Sequence, residues 1–136
     1  MNYKKSYNFG KKQEAIVLPI IREFFADETI RPNEERYAKY DFTSNCLNFE
    51  LKSRTISANK YPTTMITKDK LSVSSEDKGL ILLFSYTDGL YFVEYDFDIF
   101  ASFESKPFQR NPESGEWKEK EHIYIPIDYL KLIKNY

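Results

Sequence analysis

Asp41 is followed, with eight residues intervening, by Glu50-Leu51-Lys52 in a run where apolar and polar residues alternate. Two carboxylates and a lysine on one sheet face can make a phosphodiester-cleaving metal site, because the acids supply hard oxygen ligands and the lysine a fixed positive charge. From Cys46 to Lys52, Leu47, Phe49 and Leu51 share one parity and Asn48, Glu50 and Lys52 the other, which predicts a strand with one buried face. Upstream, Tyr40 and Phe42 share a parity, Lys39, Asp41 and Thr43 take the opposite one, and Ser44-Asn45-Cys46 reads as a tight turn. The two runs then form a hairpin. With a two-residue loop centred on Asn45 and Cys46, Ser44 faces Leu47, Phe42 faces Phe49 and Asp41 faces Glu50; a longer loop or a bulge would change that register. Like charges opposed across strands repel, so the acid pair needs a proton, a cation or a metal, and Lys52 offers part of the compensation. Taken alone, a Glu-x-Lys triplet is also what an ordinary solvated strand face carries.

The elements around this hairpin must position it. Lys11 to Phe25 reads as a helix with an apolar stripe of Val17, Leu18, Ile21, Phe24 and Phe25. Glu14 either lies on that stripe, facing the sheet, or sits in the first helical turn, where a carboxylate complements the helix dipole and stays wet. Pro19 should kink the segment or mark a new helix start. After the hairpin, Lys52, Arg54, Lys60, Lys68 and Lys70 stand against one acid, Asp69, and Lys4, Lys5, Lys11 and Lys12 open the chain without any acid. Tyr61-Pro62-Thr63-Thr64 reads as a helix start, which would put Thr64 and Lys68 a turn apart on one side. Arg54, Thr64 and Lys68 are then candidates for binding nucleic-acid phosphates, whereas Lys60 and Lys70 read as plain surface charges.

A helix bearing Glu14, a strand bearing Asp41, a hairpin return bearing Glu50-Leu51-Lys52, then a helix and further strands: this order resembles the PD-(D/E)xK nuclease superfamily, especially its small single-domain viral and phage-type members, over roughly the first three quarters of the chain. Tyr40 stands where the name-giving proline would be. The resemblance implies an α/β (α+β) fold with a restriction-endonuclease-like core, a central mixed sheet flanked by helices, extended here by a C-terminal hairpin and helix. It implies Mg²⁺, for which Mn²⁺ can substitute, on Asp41, Glu50 and the Leu51 carbonyl, with Lys52 at the attacking water or scissile phosphate. Glu14 resembles the accessory helix acid that orients the lysine or helps to hold a metal. The implied activity is metal-dependent hydrolysis of DNA, endonucleolytic ahead of exonucleolytic, by a protein that can act as a homodimer. The competing reading is a non-catalytic nucleic-acid-binding or viral interaction protein on the same scaffold.

A chain of 136 residues suits one domain over 1–136. Its net charge of -1 hides polarity, since Gly79 to Ser105 carries Asp88, Glu94, Asp96, Asp98 and Glu104 and no basic residue, as fits a one-sided nucleic-acid surface. The single cysteine, Cys46, excludes an internal disulfide, and with the sole histidine, His122, far along the chain, neither cysteine catalysis nor a zinc site is supported. No signal peptide, membrane span or Gly-rich phosphate loop is present, so the expectation is an intracellular, soluble protein of the cytoplasm or host nucleus, without a nucleotide cofactor. Gly79 to Tyr86 predicts a central strand and Thr87-Asp88-Gly89 a hairpin turn into Leu90 to Tyr95. Phe108 to Glu119 predicts a hairpin with Asn-Pro-Glu-Ser-Gly at its tip, where Trp117 could cover the core or stack a base. His122 to Ile127 predicts a strand, and a closing helix is expected from Asp128.

Overall fold

The computed structural model describes residues 3–35, 38–71, 78–110 and 118–136. In chain order these form α1 (Tyr3–Phe24), β1 (Arg31–Pro32), β2 (Phe42–Thr43), β3 (Leu47–Ser53), β4 (Thr63–Thr67), β5 (Gly79–Ser85), β6 (Gly89–Glu94), α2 (Phe97–Ala101), β7 (Ser105–Arg110), β8 (Lys118–Pro126) and β9 (Lys131–Asn135), with short 3-10 turns at Lys68–Leu71 and Ile127–Tyr129. The fold is mixed α+β. A six-stranded sheet runs β1-β2-β3-β5-β6-β9 and a three-stranded sheet runs β4-β8-β7. Within the large sheet only β3 and β5 are parallel; the other neighbours are antiparallel.

The apolar run of β5 explains its central place. Leu80 through Ser85 are all buried, because one strand face lies under α1 and the other under the small sheet. On the α1 side, Val17 and Ile21 pack with Phe42, Phe49, Leu51, Ile81, Leu83 and Leu90. On the opposite side, Leu80, Leu82 and Phe84 meet Ile66, Ile123 and Ile125 of the small sheet. Burying each such side chain fully contributes about 1.5–3 kcal/mol. The long helix α1 therefore covers one face of the central sheet, and the small sheet, joined by Phe100 of the short helix α2, covers the other.

Two expected helices are strands. Thr63-Thr64-Met65-Ile66-Thr67 is dense in β-branched residues, which pack well on a pleated surface, and β4 pairs with β8 in the register Thr64↔Ile125. The closing segment makes one 3-10 turn and then extends as β9 along β6, where Leu132 pairs with Tyr91. Here pairing with an open sheet edge overrides the helix-like spacing of Leu130 and Ile133. Helix α1 begins well ahead of Lys11 and passes through Pro19 unbroken; Pro19 is on the solvent side, where water can serve the carbonyl that its missing N–H leaves unbonded. Phe24 is 45% exposed, at the margin of the expected stripe, with its ring edge-on to Phe25 and Phe92. The β5–β6 turn and the β7–β8 pairing match expectation. The tip of that second hairpin, with Trp117, lies outside the described residues. Among the described residues, no helix is long and apolar enough to cross a membrane.

Candidate active site

The β2–β3 turn sets the register on which the acid pair depends. Ser44, fully buried, donates its backbone N–H to the Leu47 carbonyl at 2.7 Å, while its Oγ accepts the N–H groups of Cys46 and Leu47. The loop is thus the two residues Asn45 and Cys46, and Phe42 pairs with Phe49 as expected. Exposed Cys46 is a turn residue. One step further, the Asp41 N–H donates to the Phe49 carbonyl at 3.0 Å. Beyond this point the chain leaves the sheet, and the Asp41 carboxylate takes the place of a neighbouring strand: its Oδ2 accepts the Leu51 N–H at 2.8 Å. From the other side, the Asn33 N–H donates to the Asp41 carbonyl at 3.0 Å and its side-chain amide to the Tyr40 carbonyl at 2.8 Å. Asp41 is held by main-chain bonds on both flanks and has little freedom to move.

Glu50 is more deeply buried than the sequence pattern implies. The face shared by Asn48, Glu50 and Lys52 was expected to be solvated, yet Glu50 is 2% exposed, less than Leu51 at 9%. Lys70, which lies against Glu50, comes from the turn after β4, so nothing local to β3 announces this burial. Two ammonium groups compensate the charge: Lys52 Nζ is 3.3 Å and Lys70 Nζ 3.2 Å from Glu50 Oε2. Burial pushes the Glu50 carboxyl up to about 7, aided by the Asp41 carboxylate beside it, while Lys52 and Lys70 pull the other way without prevailing. Desolvation is the largest of these effects, so two lysines do not suffice to keep this acid fully ionised at neutral pH.

Lys70 belongs to the site, although it read as a plain surface charge. Its ammonium also donates to the Lys39 carbonyl at 2.7 Å, and its own carbonyl accepts the Tyr40 hydroxyl at 2.8 Å. This reciprocal clasp ties the 3-10 turn after β4 to the segment that delivers Asp41. Tyr40, at 8% exposure, has its phenol pushed up by burial and by the Glu50 charge. The available signal was Tyr40 itself, a large polar-tipped side chain immediately before the acid, though its partner thirty residues on could not be read from the chain.

Glu14 lies well inside α1, past its first turn, which removes the wet first-turn alternative. Burial and the nearby Asp41 carboxylate raise its carboxyl, partly offset by Lys11, whose Nζ is 3.4 Å away. Glu14, Asp41 and Leu51, with Gly10 and Ser53, line a hollow of about 220 Å³ between α1 and the exposed edge of β3. Asp41 therefore stands between Glu14 on the α1 side and Glu50 on the opposite side of the sheet. The structure brings Glu14 to Asp41 and Lys11, and it is Glu50 that holds Lys52.

The expected phosphate contacts separate from this cluster. Thr64 is buried on β4. Lys68 lines an apolar hollow with Leu71, Tyr95 and Phe100, so the helical face that was to join these two residues does not exist. Arg54 reaches inward, donating from Nη2 to the Met65 carbonyl at 2.9 Å with its guanidinium over the Phe84 ring, and so braces the small sheet against the large one. His122, buried on β8, has Nδ1 2.8 Å from the Lys120 carbonyl.

The donor set suits a hard cation at the Asp41 edge. A strand residue directs its N–H and C=O to the same edge, so the Leu51 carbonyl faces the side on which Asp41 receives the Leu51 N–H. Two adjoining carboxylates that share their repulsion, with one main-chain carbonyl nearby, are the oxygen donors expected of a partly hydrated Mg²⁺ site. Among the described residues no three His, Cys, Asp or Glu side chains form a complete cage. A cation here would draw on Asp41, Glu50 and the Leu51 carbonyl, and fill its remaining positions with water and substrate oxygens. No protein-family model, curated protein or solved structure matches this chain, so the geometry carries the functional reading alone.

Proposed function

We propose that the protein is a metal-dependent nuclease that hydrolyses phosphodiester bonds in DNA, on a restriction-endonuclease-like core formed by α1, the β2–β3 hairpin and β5. The observation that carries this reading is the junction of Asp41 and Glu50, with the Leu51 amide on one carboxylate and Lys52 and Lys70 on the other. Mg²⁺, when bound by Asp41, Glu50 and the Leu51 carbonyl, would polarise the phosphate and acidify a coordinated water. Lys52, its side chain 31% exposed, can reach that water or a phosphate oxygen and stabilise negative charge as it develops. Lys70 positions Glu50 and keeps its oxygens from turning away. Glu14, on the hollow side of Asp41, adds a further oxygen donor near the same edge.

One observation favours the second reading, a non-catalytic nucleic-acid-binding scaffold: Glu50 is already clasped by two cations and nearly inaccessible, as a purely structural ion pair would be. Two measurements separate the readings. Calorimetry or thermal shift should show stabilisation by Mg²⁺ or Mn²⁺ that disappears in Asp41→Ala, and plasmid and oligonucleotide DNA should be cut in a metal-dependent way by the wild type but not by a folded Lys52→Ala variant. Indifference to both metals with no cleavage would leave the scaffold reading standing.

A further inference from the structure

We propose that the cleft beside β2 and β3 is a second binding site, seating the sugar-phosphate of the DNA nucleotide that flanks the cleaved bond; the proposal rests on the nuclease reading and extends it to the path of the substrate. The cleft measures about 630 Å³, within the range of small-ligand sites. It is bounded by residues 31–35 and 38–40 on one side and by Thr43, Asn48 and Lys78 on the other. Asn48 lies two residues before Glu50 on the same face of β3, about 6.6 Å along the strand. That displacement is of the order of one internucleotide step. Tyr40 and Lys39 also border the cleft, and both are bonded to Lys70, so the cleft adjoins the clasp that holds Glu50.

Its wall presents donors. Lys78 Nζ donates to Thr43 Oγ1 at 3.1 Å, and the Thr43 hydroxyl has Asn48 Oδ1, at 3.0 Å, as the nearest of its acceptors. The relay consumes the Asn48 carbonyl oxygen and fixes the side-chain amide with its NH₂ as the remaining group. Lys78 spends one N–H on a neutral hydroxyl, and no carboxylate among the described residues is salt-bridged to it. An ammonium and an oriented amide side by side suit a phosphate and an adjacent sugar oxygen. Arg31 adds a cation on the facing side, and Glu34 and Glu35, both exposed, lie at the cleft on the same segment. A single backbone phosphate, rather than a polyanion, fits that mixed charge.

The test uses the full chain in EDTA, with fluorescence anisotropy on a labelled DNA strand and an RNA strand of the same sequence, across about 50 to 200 mM salt. Lys78→Gln should weaken DNA binding several-fold and flatten the log–log salt slope by about 0.7, one phosphate contact, while Lys60→Gln, on a different part of the surface, should change neither. Titration with thymidine 5′-monophosphate should shift the Asn48 side-chain amide signals in the nitrogen-15 NMR spectrum. Wild-type affinity and slope in Lys78→Gln would overturn the site, as would a silent Asn48 amide or a loss confined to RNA. Wild-type chain that binds no nucleic acid would remove both site and nuclease reading. Metal-dependent cleavage lost in Lys52→Ala but unaltered binding in Lys78→Gln would remove the cleft alone.

Discussion

Replacing Glu50 with glutamine removes the charge that the fold disfavours and keeps the shape, so its effect on stability should depend on pH in a calculable way. The carboxyl moves from its ordinary 4.5 to about 7 on folding. Because the folded-state value is the higher one, the folded protein holds the proton more tightly, and the contribution of Glu50 to stability is full below 4.5 and is lost as pH rises through 7. Integrating the linkage relation, ionisation of Glu50 costs the fold about 1 kcal/mol at about pH 5 and about 3 kcal/mol at about pH 8. With Glu50 at 2% exposure there is no solvent screening to discount. Glutamine is spared this cost, but it weakens the contacts with Lys52 and Lys70. Their attraction to the ionised carboxylate is already contained in the raised Glu50 value, so the weaker contacts of the neutral glutamine add only an offset that does not change with pH. The stability difference between Glu50→Gln and wild type should therefore move by about 2–3 kcal/mol in favour of the variant between about pH 5 and about pH 8. Urea unfolding of both proteins in EDTA at several pH values measures it. A difference that stays constant to within about 0.5 kcal/mol would refute the account of a buried, reluctantly ionised acid.

Other expectations follow from the same geometry. Lys70→Ala removes a cation 3.2 Å from Glu50 and should raise the Glu50 pKa further, shifting any metal-dependent cleavage profile to higher pH; Lys70→Arg should restore part of the shift, and an unmoved profile would place Lys70 outside the site. Pro19→Ala, in an exposed helix interior, should stabilise the fold by about 1–3 kcal/mol by chemical denaturation, and a loss of stability would contradict a regular helix at that point. Leu82→Ala, at a fully buried position between the two sheets, should cost about 2–5 kcal/mol, with a change below about 1 kcal/mol arguing against a packed inter-sheet core.

The hairpin carrying Asp41 and Glu50 was legible because its information is local: parity on either side of a two-residue turn, with Ser44 able to clamp it. The same holds for the apolar strand from Gly79 and the stripe of Val17 and Ile21. What could not be read was decided by distant partners. Thr63 to Thr67 and Lys131 to Asn135 became strands because β8 and β6 offered them edges. Lys70 looked like any surface lysine because its two acceptors, Lys39 and Glu50, lie far away in sequence. The register of the hairpin was legible; the burial of Glu50 was not, since Lys70, which closes over it, returns from the turn after β4.

The two unlike faces of β3 also bear on how the chain finds its fold. Phe49 and Leu51 enter the core under α1, while Glu50, on the other face of the strand, meets two ammonium groups. Sliding β3 by one position would send every side chain to the other face. Glu50 would then be driven among Val17, Ile21 and Ile81, taking Lys52 with it but losing Lys70, and a leucine would be left against the Lys70 ammonium. The charged residue thus works as a proofreader of strand alignment, rejecting misaligned pairings that a wholly apolar strand, with greasy cores on both sides, would tolerate.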